Sequence, residues 1–124
     1  MFHYKTCGLD NVYLVNGYNT IEIDGDTATS IHNIDGLHEA IGRKLSDPSA
    51  SLSGVEFRFL RIELDMSQKA FGALVEKSDQ TVAIWEKEDK VPKEASVIIK
   101  HLFLESVGEN PKMKEFLEQL NAID

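Results

Sequence analysis

The sequence predicts an α+β protein, with a small antiparallel β meander and one helix first and an all-helical second half after it. Three observations support this. Short runs rich in β-branched and aromatic residues fill positions 1–32. A stretch rich in serine, with a proline and a glycine, follows. Apolar residues then recur at helical spacing. We expect a β-rich domain over residues 1–46, a linker over residues 47–54 and a helical domain over residues 55–124.

The composition is that of a chain that folds. It has 124 residues, 42% of them hydrophobic, and a formal net charge of -8. This length allows one ordinary core or two small subdomains that share contacts. No apolar run is long enough to span a membrane, and the first ten residues lack the basic and apolar segments of a secretory signal. Cys7 is the only cysteine, so the chain cannot form an intramolecular disulfide. We expect a cytoplasmic protein.

The strands are predicted from four runs bounded by turn residues. Three turns, at residues 8–11, at Asn16-Gly17 and at residues 24–26, contain the glycine, asparagine and aspartate that tight reversals favour. Asn16-Gly17 is the strongest hairpin signal of the three. The four runs are FHYKT, NVYLV, TIEID and TATSIH.

The first helix is predicted in the run DGLHEAIGRKL. Leu37, Ile41 and Leu45 recur at helical spacing, and Asp35 can accept hydrogen bonds from the first turn. The next run, VEFRFLRIEL, is compatible with a strand and with a helix, and its context favours a helix.

Two more helices are predicted near the end of the chain. Pro92 suits the first position of one, and Gly108 can end it. Asn110 and Pro111 suit the start of the other, so that the second half should contain five helices.

The segment MSQKAFGALVEKSDQTVAIWEK predicts two short helices joined by a tight turn. Ser67 and Ser78 can cap them, and Val82 and Trp85 lie three residues apart on the inner side of the second. Gly72 costs about 1 kcal/mol inside a helix relative to alanine, which suggests that the second helix approaches closely there. The apolar face of the first helix consists of Phe71, Leu74 and Val75.

This segment resembles the helix-turn-helix of the Cro and lambda-repressor-like family, also called the xenobiotic-response-element type. The resemblance spans roughly residues 54 to 105 and is carried by Ser67-Gln68, Ser78, Gln80-Thr81-Val82 and Trp85-Glu86. It implies that the second helix of the motif reads DNA in the major groove and that Gln68 contacts the phosphate backbone. The implied DNA-binding residues are Gln68, Lys69, Lys77, Ser78, Asp79, Gln80, Thr81, Ala83, Ile84, Lys87, Lys90 and Lys93.

The residues on the implied reading face have matching base-edge chemistry. Gln80 can bind adenine through two hydrogen bonds, Ala83 or Ile84 can contact a thymine methyl, and Asp79 can accept from cytosine. The sequence departs from the family pattern at two places. Glu76 and Lys77 replace the usual glycine and aliphatic residue, which strains the turn by roughly 1–2 kcal/mol if Glu76 is left-handed. Asp79 and Ile84 also stand where many members carry a polar reader.

The net negative charge does not exclude DNA binding. Residues 1–53 hold three basic and seven acidic side chains, and residues 54–124 hold ten and fourteen. Salt screens exposed charges from one another beyond about 8 Å. The charges close to the DNA-binding helix therefore matter more for DNA binding than the net charge of the chain. Five lysines flank the expected groove-binding helix, and the alternative is that they form an ordinary solvated surface. They are Lys69, Lys77, Lys87, Lys90 and Lys93.

The amino-terminal half suggests a second function. A β-rich unit before a helix-turn-helix is similar to the antitoxin regulators that carry an amino-terminal zinc domain, but this chain lacks their Cys-x-x-Cys pairs. The remaining metal-ligating side chains have no recognisable ligand spacing, so we expect no metal and no cofactor. They are His3, Cys7, His32 and His38. No base or oxyanion site accompanies Cys7, and we expect no enzyme activity.

The sequence therefore favours a dimeric repressor that binds double-stranded DNA at a palindromic operator. The alternative is an antitoxin whose amino-terminal half neutralises a toxin protein while the helix-turn-helix autoregulates the operon. Candidate dimer contacts are the apolar stripe of residues 113–120 and three residues of the preceding helix, namely Ile98, Leu102 and Phe103.

Overall fold

A computed structural model describes residues 1–108, and its architecture confirms the predicted α+β class. Four short strands come first and five helices follow within the described part. The strands are β1 (Phe2–His3), β2 (Tyr13–Leu14), β3 (Tyr18–Ile23) and β4 (Asp26–Ile31). The helices are α1 (Ile34–Leu45), α2 (Gly54–Glu63), α3 (Gln68–Leu74), α4 (Asp79–Trp85) and α5 (Lys93–Val107).

The strands form two separate antiparallel pairs rather than one continuous meander. β1 pairs with β2, and β3 pairs with β4 in a register that places Ile23 opposite Asp26. The tight hairpin is therefore closed by Asp24 and Gly25, whose φ angles of 51° and 85° suit a type I′ turn. Asn16-Gly17, the strongest hairpin signal in the sequence, does not join a strand pair, because β2 and β3 do not pair.

The helix starts follow capping chemistry, with one correction. Asn33, rather than Asp35, caps α1, and its side chain accepts a hydrogen bond from the Gly36 amide at 3.0 Å. Asp35 lies inside the first turn of α1. The helical interpretation of the run at residues 55–64 is confirmed, since Ser53 and Glu56 form a reciprocal capping box at the start of α2.

The last described helix begins one residue later than expected and ends as expected. Pro92 is the residue that precedes α5, and Gly108 follows its last residue, Val107. The predicted helix from Asn110 and the apolar stripe of residues 113–120 lie outside the described residues. Within residues 1–108, no helix has the length and apolar character needed to cross a membrane.

One core connects the two predicted domains. Leu9 from the β1–β2 loop lies in the same buried cluster as residues of α2 and α5. α1 packs on α5 at Gly42, where a Cβ atom would lie 2.0 Å from the Phe103 ring. The segment expected to be a linker takes part as well, because Leu52 is only 1% exposed within this cluster. The β3–β4 hairpin is the exception, since neither strand contributes to the core.

Candidate nucleic-acid interface

The turn between α3 and α4 is held by a close backbone approach. A Cβ atom on Gly72 would lie 2.4 Å from the carbonyl oxygen of Lys77, and the Lys77 amide donates to the Gly72 carbonyl at 2.8 Å. The predicted need for glycine at this position is thus explained by the turn that precedes α4. Glu76 has a φ of 58°, so the left-handed geometry considered from the sequence is present in the turn.

The two helices of the motif are fixed by capping and by aromatic packing. Ser67 accepts from the Ala70 amide at 2.9 Å, and Ser78 accepts from the Thr81 amide at 3.1 Å, as predicted. Phe71 and Val82 are fully buried. Phe57 of α2 contacts Phe71 edge to face, with ring centroids 4.9 Å apart. These contacts on the buried side of α3 and α4 fix the angle between the two helices.

A buried ion pair locks the end of α4 to α2. Arg61 donates from Nε to one oxygen of Glu86 at 2.6 Å and from a terminal nitrogen to the other at 3.1 Å. Arg61 and Glu86 are 9% and 8% exposed, and a two-pronged contact of this kind orients both partners. Arg61 also donates to the Met66 carbonyl at 2.8 Å, which ties in the chain just before α3.

The same ion pair engages Gln68, which the resemblance assigns to the phosphate backbone. Its side-chain amide donates to Glu86 at 3.1 Å. A primary amide has two hydrogens, so one donor and the carbonyl oxygen remain for another partner. Sequence reasoning did not find Arg61 or the role of Glu86. The available signal was a charged residue on the apolar side of α2 and another at the C-terminal cap of α4.

The face of α4 opposite the core is open to solvent. Val82 is fully buried while Ile84 is 58% exposed, so the predicted inward and outward sides are confirmed. Asp79 and Gln80 are exposed, and Thr81 and Ala83 are half-buried at the edge of the face. This surface therefore presents an amide, a carboxylate and small apolar groups, which is the chemistry that reads base edges.

Two of the polar groups on this face are already engaged with each other. The hydroxyls of Ser78 and Thr81 lie 3.0 Å apart. Asp79 accepts from the Gln80 amide at 2.9 Å. The side-chain amide of Gln80 forms no hydrogen bond within residues 1–108, so it is the polar group best placed to bind a partner.

The predicted lysines surround this face, but they do not make the region positive overall. All five are exposed, and none forms an ion pair within the described part of the chain. Glu76, Glu88 and Asp89 are also exposed in the same turn and loop. Cations and carboxylates therefore alternate around α4. Lys69 lies on α3, Lys77 in the turn, Lys87 and Lys90 after α4, and Lys93 at the start of α5.

The side chains weighed as metal ligands were His3, Cys7, His32 and His38. The His3 ring stacks on Tyr13 with centroids 4.3 Å apart, and His32 is exposed. Cys7 is half-buried against the core. Among residues 1–108 no group of three or more His, Cys, Asp or Glu side chains could hold a metal ion.

His38 instead connects three parts of the chain. Its Nε2 lies 2.7 Å from the hydroxyl of Tyr4, and its Nδ1 contacts the Glu63 carboxylate at the end of α2. Burial, with smaller contributions from Cys7 and Glu63, raises the pKa of Tyr4 above its ordinary value of 10.0. The phenol therefore stays neutral at physiological pH and serves as a hydrogen-bonding group. This network was not predicted, because its members are separated by long stretches of sequence.

No family model, curated protein or solved structure matches this chain.

Proposed function

We propose that this chain is a sequence-specific DNA-binding regulator that inserts α4 into the major groove. The observation that carries the proposal is the solvent-exposed face of α4, from Asp79 to Ile84, on a helix whose other side is anchored by Val82 and Glu86. Reading of base edges requires side chains that project from a rigid element. If the helix were mobile, the free-energy cost of ordering it on binding would weaken the complex. The exposed lysines would contact phosphates on either side.

The alternation of lysines and carboxylates has a consequence for affinity. Non-specific binding depends mainly on neutralised phosphates. Since Glu76, Glu88 and Asp89 lie among the lysines, we expect weak binding to random DNA and a strong dependence on the base sequence. A two-fold operator would let two copies double the number of contacts, in the role of a repressor that blocks polymerase.

Two of the three α5 residues that the sequence suggested for a dimer contact are too buried to form one. Leu102 and Phe103 are each 2% exposed because they belong to the core of the chain itself. Ile98 is half-buried. A dimer therefore has to use other surfaces, and the proposal rests on α4 and not on a particular dimer contact.

The test begins with selection of bound duplexes from a random library, followed by fluorescence anisotropy on the selected site. We expect Gln80→Ala to cost about 1–3 kcal/mol on that site and to relax the preference at one base pair. Lys87→Ala should lower the salt slope of log affinity by about 0.9 for each phosphate contact that is lost. Lys44→Ala, at an exposed position on α1, is the matched control. The proposal is contradicted if no sequence is enriched, or if the Gln80 and Lys87 variants both bind the selected site with the affinity of the wild type.

A second candidate function, the antitoxin, is favoured by one specific observation. The β3–β4 hairpin, with its tip at Asp24 and Gly25, exposes both faces of its two strands, and Ile21 and Ile23 are 53% and 57% exposed. Unpaired strand edges with apolar side chains bind other chains by strand addition. The hairpin could thus bind a toxin enzyme.

This second function is tested by co-expression with the product of a neighbouring gene and co-purification of the pair. Ile21→Lys together with Ile23→Lys should abolish the complex and leave DNA binding intact. Thr20→Lys with Glu22→Lys is the matched control, because these residues alternate with the isoleucines along β3. Complex formation by the isoleucine variant would exclude the hairpin as the binding surface.

A further inference from the structure

A cavity of about 480 Å³ lies between residues 46–52, the α4–α5 loop and one face of α5. We name it the α5 cavity. Cavities of roughly 300–1,000 Å³ hold small organic ligands, so this one is large enough. None of the described residues that line it belongs to α4, and the cavity was not predicted from the sequence.

The walls of the α5 cavity combine aliphatic and cationic groups. Leu52, Val91, Val97 and Leu104 supply the apolar surface, and Lys90, Lys93 and Lys100 supply positive charge. No acidic side chain within residues 1–108 lines it, although the chain has a formal net charge of -8. Among the described residues the lining contains no phenylalanine, tyrosine or tryptophan, and His101 is its one aromatic ring.

Three buried polar side chains belong to this wall, namely Ser46, Ser96 and Lys100. Lys100 is 5% exposed, and its ammonium donates to the Asp47 carbonyl at 2.8 Å and to the Ala50 carbonyl. An ammonium group has three donors, so one remains. Ser46 is 1% exposed, and its hydroxyl has no hydrogen-bond partner within residues 1–108. The Ser46 hydroxyl and the third hydrogen of the Lys100 ammonium are therefore unused within residues 1–108, and an unpartnered buried hydroxyl is costly.

We propose that the α5 cavity binds a small organic carboxylate with an aliphatic body. The carboxylate accepts hydrogen bonds from Ser46 and Lys100, and the aliphatic part packs between Val97 and Leu104. This inference goes beyond DNA binding. Lys90 and Lys93 belong both to the cavity wall and to the phosphate contacts expected under the proposed function.

The experiment titrates octanoate into the full-length ¹⁵N-labelled protein without DNA and follows amide shifts in nuclear magnetic resonance spectra. We expect saturable shifts at residues 46–52 and on the cavity face of α5. Octan-1-ol and octylamine have the same chain length without the negative charge, and each should bind at least about tenfold more weakly. Equal affinity for octan-1-ol would overturn the proposal, since the cavity would then select only apolar bulk.

Two variants test the position of the ligand. Val97→Phe fills the cavity and should abolish the saturable shifts, whereas Val55→Phe, at a similarly exposed valine on α2, should leave them unchanged. Ser46→Ala removes the unpartnered hydroxyl at no cost to folding, and should weaken octanoate binding about tenfold. Unchanged binding by Val97→Phe contradicts the proposal, as does unchanged binding by Ser46→Ala.

One further outcome would overturn it. Nuclear Overhauser contacts from the methyls of Val97 or Leu104 to the ring of Phe116, in the same or a second copy, would show that the chain itself fills the cavity. Because these measurements contain no DNA, their failure is distinguishable from failure of DNA binding.

Discussion

The β3–β4 hairpin and the α2–α5 helices differ in what holds them together. The hairpin is joined by six cross-strand pairs, from Tyr18 opposite Ile31 to Ile23 opposite Asp26, yet none of its residues is buried. The helices also satisfy their own backbone, but they bury Phe57, Leu60 and Ile99 completely. Backbone pairing alone gives a two-stranded ribbon marginal stability. Burial is therefore the property that separates the two regions.

The difference also distinguishes the two possible functions. A rigid, anchored element such as α4 suits the reading of DNA, where side chains must be held in register. An exposed ribbon with free edges suits a partner that supplies the missing strand and buries its apolar side chains. We therefore expect substitutions in the helical core to change global stability, and equivalent substitutions in the hairpin to change only local structure.

The largest effect is expected from Phe57→Ala. Phe57 is fully buried and contacts the rings of Phe71 and Trp85, so its loss should lower the free energy of unfolding by about 3–5 kcal/mol. Ile21→Ala, in the hairpin, should change it by less than about 0.5 kcal/mol. Urea denaturation followed by circular dichroism and by Trp85 fluorescence measures both. Similar losses for the two variants would show that the hairpin is part of the cooperative core.

The next effect is expected when the buried ion pair is broken. Glu86→Ala leaves the Arg61 guanidinium buried without its carboxylate, and should cost about 3 kcal/mol. The double variant Arg61→Met with Glu86→Leu removes both charges and should recover most of that loss. Thermal unfolding of the three proteins gives the comparison. A double variant as unstable as Glu86→Ala would indicate that the bonds to Met66 and Gln68 matter more than the uncompensated charge.

Local patterns predicted most of the helical half. The serine caps of α3 and α4, the buried side of α4 and the end of α5 depend on residues within one or two turns of each other, so sequence spacing determines them. The strands themselves were also predictable. Their pairing was not, because Asn16-Gly17 and Asp24-Gly25 are both good turn sequences, and the choice between them depends on which strands meet.

Only the part of the candidate site that depends on local sequence spacing was predicted. The exposed residues of α4 follow from its periodicity once Val82 is placed inside. Arg61 and Glu86 are 25 positions apart, and Tyr4 and His38 are 34 apart, so nothing in the local sequence pairs them. The α5 cavity likewise joins residues 46–52 to α5 across the fold. Contacts of this kind appear only when the tertiary packing is known.

A smaller effect is expected at the junction between the amino-terminal loop and the helices. Tyr4→Phe removes the hydrogen bond to His38 and should lower the free energy of unfolding by about 1 kcal/mol at neutral pH. Since burial raises the pKa of Tyr4 in the folded state, its stabilising contribution is complete below pH 10 and is lost as the pH rises through the folded-state pKa. The difference between wild type and Tyr4→Phe should therefore shrink in alkaline urea denaturation. A difference that grows with pH would contradict this account.

The smallest effect is expected at two residues with a left-handed backbone conformation, one in each region. Glu76 in the α3–α4 turn has a φ of 58°, and Asp24 in the hairpin turn has a φ of 51°. Glycine relieves the strain of this conformation. Glu76→Gly should therefore raise the free energy of unfolding by up to about 1 kcal/mol, while Glu76→Gln, which keeps the Cβ atom, should not. Asp24→Gly should leave the global unfolding transition unchanged, because the hairpin adds no buried surface to the core. Amide hydrogen exchange within β3 and β4 measures the local effect separately, and an equal rise in global stability from both glycine variants would mean that the hairpin unfolds together with the helices.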